Sequence, residues 1–445
     1  MARNYLLLGT TLLALATPAL CWGQYGHEIT ATIAEAHLLP STRQAICGLL
    51  PGTFKCHLAG VAAWPDLIKQ DPENNKYNSL HYVNERKNDI PRKCDNFGSS
   101  GWTSDHNILT AIVNRTRDIV STDPRTISSV HDEALRFLVH FLGDLHQPFH
   151  LAGLYLGGNR VDVLWNGRKT NLHAVWDESL VNHMIIHTTD HTSPLPTSSS
   201  TPTLERERNI RIEEALRGSI YDAYTRSILI EGIHGRWANE IQEWISCPKP
   251  SVSLHDAQLR MAQGDLMFDD PVDVPVCPHH WTIKTHDMLC TYIWPFGLTD
   301  KTPPRELNTA DYAERIRSEL VVEKQLAIGG MRLAAVLNNV LASEDDKARI
   351  IRRPSNATHK TGTVPSRAGR SFGKLTIFTL QETIRLEDTD GNMFMTMSSI
   401  TQNSHIPDQK DITCRAQSEA DFVSDRAAGR THRLSPILTD TNDTK

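Results

Sequence analysis

Two histidine–aspartate pairs constrain this chain more than any other feature: His140-x3-Asp144 in FLVHFLGDLHQPFH and His173-x3-Asp177 in NLHAVWDE. Spacing of i,i+4 puts both members of a pair on one helix face, so both stretches are predicted to be helical. Pro148 is expected to end the first helix and let His150 turn back toward it. Upstream, His27 in WGQYGHE, Asp66 in AAWPDLIK and His81 in SLHYVN lie beside aromatic or apolar neighbours, where an unpaired charge would be costly. Any one of these residues alone is more often a hydrogen-bonded histidine, a helix cap or an ion-pair partner. Read as a set they point to metal coordination, which offsets that cost. No Cys-x2-Cys spacing occurs, so the ligands would be His and Asp.

From residue 22 to about residue 343 helical periodicity dominates. Ala134, Leu135, Leu138, Phe141, Leu142 and Leu145 fall mostly on one face. Residues 311–341 carry a second long pattern interrupted by Gly329 and Gly330, which imply either a close helix approach or a kink. Residues 159–172, with Val161, Val163 and Trp165 before Asn166-Gly167, read as a short peripheral β-hairpin. Residues 192–204 and 248–278 read as surface loops. The expected architecture is mainly α, a single compact helical domain over residues 22–342 with a small hairpin.

Residues 1–21 have one basic residue, an apolar run and small residues at Ala19 and Cys21, the pattern of a cleaved secretory signal. Cleavage after Cys21 would make Trp22 the first residue. No second apolar span appears, so no membrane anchor is expected and the product is read as secreted. An oxidising compartment favours pairing of the seven cysteines that remain, with Cys414 as the odd thiol. Sequons at Asn114, Asn356 and Asn442 are compatible with glycosylation, Asn114 being the candidate within the body. Residues 343–445 lose periodicity and are expected to form a poorly ordered tail, with eight Lys or Arg and no acidic residue over 347–374. FGKLTIFTL within it could form a strand. A formal charge of −6 excludes a broad cationic surface for phosphates, so any charge that binds them must be local or metallic.

In order and spacing, Trp22, His27, Asp66, His81, His140, Asp144, His150, His173 and Asp177 resemble the S1/P1 nuclease family of secreted trinuclear zinc enzymes. WGQYGH, LHYVN, Gly157-Gly158-Asn159 and KQLAIGGMRLAAVLN support the resemblance, which covers residues 22–342. It implies the fold shared by zinc-dependent phospholipase C and P1 nuclease. It also implies three Zn2+: one on Asp66, His81, His140 and Asp144, a second on His150, His173 and Asp177, and a third on Trp22, His27 and Asp144. Trp22 would chelate through its α-amine and carbonyl oxygen, so signal cleavage would be required for that site. A metal-bound hydroxide would attack phosphorus, giving 5'-phosphate products from single-stranded DNA and RNA and releasing phosphate from 3'-nucleotides. Asp66 and Lys69 would act in catalysis, and Tyr82 and Asn84 in base binding. Tyr82 as plain core packing is an equal competitor, and Asn84 replaces an aspartate that the family often has.

Cys94 and Cys290 match the family's long-range disulfide, whereas a short-loop pair expected near residues 98–106 has no cysteines. Cys47 with Cys56 and Cys247 with Cys277 are further pairings that the sequence allows without deciding. The chain is expected to be a monomer. Competing readings are a zinc-dependent phospholipase C and a non-catalytic secreted zinc glycoprotein. The five-residue step from Trp22 to His27 and an aspartate at the last ligand favour the nuclease.

Overall fold

A helix buried on all sides needs small residues wherever a neighbour passes close. The first helix, α1 (Gln24–Ala36), is buried from Gly26 to Ala36 and carries three Ala, two Thr and one Gly. In the computed structural model, which describes residues 22–87, 90–94, 96–120, 129–248 and 275–352, it crosses the long helix Val321–Leu341. The crossing falls at Gly329 and Gly330. A Cβ on Gly330 would sit 2.4 Å from Ile33 Cγ2, and one on Gly329 would sit 3.2 Å from Thr30 Cγ2. The paired glycines therefore mark a close approach, and the helix runs through them without a kink.

These two helices divide the interior. One apolar cluster gathers Trp22, Ile29, Ile33, Phe149, Trp176 and Leu326, and the other Ala31, Ala34, Phe141, Leu142, Leu333 and Leu337. Helices α2 (Pro40–Leu49), α3 (Trp64–Ile68), α4 (Ile108–Val120) and α5 (Ser129–Asp144) border the second cluster. Residues 141–149 pass from one cluster to the other, so the chain between His140 and His150 lies on their seam.

Helix α5 stops at Asp144, four residues before Pro148. Gln147 must avoid helical backbone because a proline follows it, and its φ/ψ of −91°/113° is extended. Pro148 instead opens a 3-10 turn, Pro148–Leu151, that carries His150. The second pair also lies on helix, in three parts: α6 (Leu172–Ala174), a π turn (Val175–Ser179) and α7 (Leu180–His187). The 311–341 pattern is broken at Leu320, which takes φ 53°, between Arg315–Ser318 and Val321–Leu341. Leucine in that conformation costs about 1–2 kcal/mol, and no glycine or asparagine marks the break.

Strands β1 (Asp162–Trp165) and β2 (Arg168–Asn171) form a two-stranded antiparallel sheet, the sheet present among the described residues. Asn166 and Gly167, both at positive φ, make the turn. Residues 192–202 form the expected loop, α-helix resuming at Thr203, while most of the second expected loop, 249–274, lies outside the described residues. Cys47–Cys56, Cys94–Cys290 and Cys247–Cys277 are bonded. Past Ser343 the chain continues as helix Glu344–Arg352, with three acidic residues in its first turn and the Ser343 Oγ accepting from Asp346 N at 3.3 Å. The rest of the expected tail, including FGKLTIFTL, Asn356, Cys414 and Asn442, lies outside the described residues. No helix among the described residues is long and apolar enough to cross a membrane.

Candidate metal centre

Three groups of ligand atoms come together, each with its atoms within 4.8 Å of one another: His27, Asp66 and His140; His81, His140 and Asp144; and His150, His173 and Asp177. All eight side chains are buried. Asp144 is the hinge of the arrangement. Its Oδ2 lies 3.0 Å from His81 Nδ1 and 3.2 Å from His140 Nε2, while its Oδ1 lies 3.2 Å from His27 Nε2 and 3.7 Å from His150 Nδ1. Asp66 Oδ1 completes the first side, 3.4 Å from His140 Nε2 and 2.6 Å from Lys69 Nζ. His173 Nε2 lies 3.2 Å from Asp177 Oδ2 across the π turn.

The backbone aims these rings. His140 Nδ1 donates to the Ala62 carbonyl at 2.7 Å, His150 Nδ1 to the His81 carbonyl at 2.6 Å and His173 Nδ1 to the Gly157 carbonyl at 2.7 Å. A histidine that spends Nδ1–H in this way presents a lone pair at Nε2, the arrangement found behind metal ligands. Val83 N returns the favour to the His150 carbonyl at 2.9 Å, so the His81 and His150 segments hold each other. Asp177 is held by Gln147, whose Nε2 donates to Oδ1 and whose Oε1 accepts from Phe149 N. Trp22 is fully buried, and Gly23 N donates to the Asp177 carbonyl at 2.6 Å, which brings the start of α1 against the third group.

Glycines create the room. A Cβ on Gly143 would lie 2.6 Å from His27 Nδ1, so the residue before Asp144 must lack one. Tyr155, Leu156, Gly157 and Gly158 all have positive φ, a left-handed turn that delivers the Gly157 carbonyl to His173 at a cost of about 1–2 kcal/mol for each of the two non-glycine residues.

Electrostatics suit a divalent ion. Burial pulls His27 and His81 down to about 4 and His173 to about 3, which keeps their rings neutral, the ligating form. His140 differs: burial lowers it, but Asp144 and Asp66 outweigh burial and bring it up to about 10. Asp144 stays far below the ordinary carboxylate range despite burial, held there by His140, His150 and His27. Burial, with Asp144 and Asp66 adding to it, pushes Asp177 well above that range. Polar atoms with no hydrogen bond converge at the centre: His27 Nε2, Asp144 Oδ1, His150 Nε2 and Asp177 Oδ2. Orphaned buried groups of this kind are rare unless an ion satisfies them, so the residues fit metal ions.

Lys69 is mostly buried, with its side chain 18% exposed. Tyr82 is 41% exposed and so is not core packing. Asn84 is half-buried beside Gly153 and its carbonyl accepts from Thr103 N. Asn114 is exposed on α4. Sequence reasoning missed Gln147, Gly143 and the Ala62 carbonyl. The first two lie inside FLGDLHQPFH, where a glycine next to a ligand on a helix is a signal for close approach; a carbonyl leaves no trace in residue type.

The sequence profile described as S1/P1 Nuclease matches residues 22–342. Endonuclease 3 of Arabidopsis thaliana is 30% identical over 354 residues, 78% of this chain and 98% of that protein. Nuclease P1 of Penicillium citrinum is 25% identical over 73% of this chain and 99% of its own length. Nuclease S1 of Aspergillus oryzae is 33% identical over 180 residues, 39% of this chain and 59% of that protein. With eight buried His and Asp side chains gathered in three groups that could hold metal ions and a match over the whole helical body, the chain belongs to the S1/P1 nuclease family.

Proposed function

We propose that this chain is a secreted zinc-dependent endonuclease that cleaves single-stranded DNA and RNA to 5'-phosphate products and hydrolyses 3'-nucleotides. Asp66, His81, His140 and Asp144 would hold one Zn2+, His150, His173 and Asp177 a second, and Trp22, His27 and Asp144 a third. The observation that carries this reading is Asp144, whose Oδ2 meets His81 and His140 at 3.0 and 3.2 Å while its Oδ1 meets His27 at 3.2 Å, so that one carboxylate would serve two ions. When bound, the ions supply Lewis acidity and water of lowered pKa.

The chain's own residues do the remaining work. Lys69, fixed against Asp66, offers a positive charge to phosphoryl oxygens as their charge grows. Tyr82 presents an exposed ring on which a base can stack, and the Asn84 amide can both donate to a base edge and accept from it. The ligand atoms are buried, so the phosphate must enter a recess that a flexible single strand can reach and a stacked duplex cannot. Trp22 reaches its role only with a free α-amine, which requires removal of residues 1–21. Three disulfides fit the oxidising compartment that such processing implies.

The test combines N-terminal sequencing of the secreted protein, zinc per chain and hydrolysis of single-stranded DNA, RNA, duplex DNA, 3'-nucleotides and phosphatidylcholine. Trp22 as first residue, three zinc ions and preference for single strands are expected. Three ions with no hydrolysis of any nucleic acid or nucleotide overturns the enzyme reading, and phosphatidylcholine as the better substrate replaces it with a phospholipase.

A further inference from the structure

Helix α7 carries a second histidine constellation that the centre does not use. His183 and His187 stand one turn apart on its outer surface, with ring centroids 4.0 Å apart and planes inclined at 33°. His187 is exposed and His183 half-buried. We propose that this pair is a separate, exchangeable site for a divalent transition metal of the Ni2+, Cu2+ or Zn2+ class.

Spacing of i,i+4 on a helix points two imidazoles the same way, the geometry by which paired helical histidines bind zinc. Two Zn–N bonds of about 2.1 Å in a tetrahedral arrangement need nitrogens about 3.4 Å apart, within reach of rings at this separation. His187 Nδ1 donates to the His183 carbonyl at 2.7 Å. That bond fixes the tautomer and leaves Nε2 as an outward lone pair, the same backbone support that His140, His150 and His173 receive. The edge of Trp165 limits where the His183 ring can turn, with centroids 5.9 Å apart at 87°. Burial, His187 and Arg317 together hold His183 below its ordinary range, which favours the neutral ligand.

Negative charge is close by. Glu314 acts electrostatically on both rings from the π turn Ala310–Glu314, although Arg317 Nε now holds its Oε2 at 2.8 Å. Water would complete the coordination sphere. A metal here cross-links the last turn of the helical run 172–187, whose first turns carry His173 and Asp177. No ligand is shared with the buried centre, so the two sites load independently.

The probe is Ni2+ alone, titrated by equilibrium dialysis into the untagged mature chain already loaded with zinc. One additional saturable Ni2+ per chain is expected, without zinc release. His187→Gln and His183→Gln are each expected to weaken it on the order of a hundredfold, because the second bond to a chelated ion is intramolecular. Both variants keep the zinc content and nucleolytic rate of the parent. Absence of an additional saturable ion overturns the proposal, as does uptake unchanged in both variants. Ni2+ uptake matched by zinc release also overturns it, since the ion would then be entering the buried centre.

Discussion

Gly330→Ala and Gly48→Ala are chemically the same substitution in two helices, and the structure gives them opposite signs. A Cβ at Gly330 would lie 2.4 Å from Ile33 Cγ2, 2.6 Å from Ile33 Cβ and 3.0 Å from the Thr30 carbonyl oxygen. Ordinary contact begins near 3.4 Å, so the two helices would have to separate by about 1 Å. Rotation of Ile33 offers no relief, because its Cβ is bonded to the backbone. Separation is resisted by Asn338, which takes Leu39 N at 2.8 Å and gives a hydrogen bond to the His37 carbonyl at 2.9 Å.

Overpacking of this kind costs about 3 kcal/mol at the upper end of its usual range, and alanine returns about 1 kcal/mol of helix propensity. The net loss is about 2 kcal/mol. At Gly48, in α2, nothing lies within 4 Å of the new Cβ, so only the propensity gain of up to about 1 kcal/mol remains. Urea unfolding with excess chelator isolates the chain from any bound metal. The displaced α1 also carries His27, so Gly330→Ala is expected to lower occupancy of the proposed metal centre before it unfolds the protein. Gly330→Ala as stable as Gly48→Ala would refute the close-approach reading, because the helices would then part at no cost.

Glu323 sits buried near Tyr224, and burial pushes its carboxyl up to about 7 from 4.5. The folded state therefore keeps a proton that the unfolded chain has lost, so Glu323 costs stability increasingly as pH rises from about 4.5 to 7. Glu323→Gln is expected to remove that slope and to gain up to about 3 kcal/mol at pH 8, measured by urea unfolding across pH; an unchanged slope assigns it elsewhere. Gln147→Met keeps the volume but removes the donor to Asp177 Oδ1, and is expected to weaken metal binding about 10–100-fold at the proposed His150, His173 and Asp177 site. Competition with a chromophoric chelator measures it, and parental affinity would mean that Asp177 is oriented without Gln147.

The two histidine–aspartate pairs were legible because their spacing is tied to helix geometry: His140 with Asp144 and His173 with Asp177 share a turn in the structure as the sequence requires. The hairpin was legible for a similar reason, since Asn166-Gly167 tolerates the positive φ of its turn. What failed to show was any feature set by tertiary contact. The end of α5 at Asp144 rather than at Pro148 depends on where His150 must go. The break at Leu320 has no turn residue to announce it. The π turn that spans Asp177 preserves the apolar pattern on both sides and so leaves it unmarked. Exposure of Tyr82 could not be read either, because a tyrosine after a buried histidine suits a core as well as a base platform.

The turn between Asp144 and His150 faces two ligand groups at once, and ligands alone cannot hold it rigid. It is pinned from behind by Arg332, whose Nη1 donates to His146 Nε2 at 2.7 Å and to the Trp281 carbonyl at 2.9 Å, while Nε donates to the Trp244 carbonyl at 2.7 Å. Burial draws the guanidinium down to about 9, so it keeps its charge at neutral pH. His146, lowered by burial and by Arg332, must then stay neutral, and its Nδ1 donates to the Leu142 carbonyl at 2.6 Å. Among the described residues the cation is thus satisfied by two carbonyls and an imidazole, and it draws on none of the carboxylates of the centre, which meet Lys69 and the histidines instead. Since Arg332 lies two residues past Gly330 on the helix that crosses α1, one rigid element fixes both the spacing of His27 from Asp144 and the turn that presents His150.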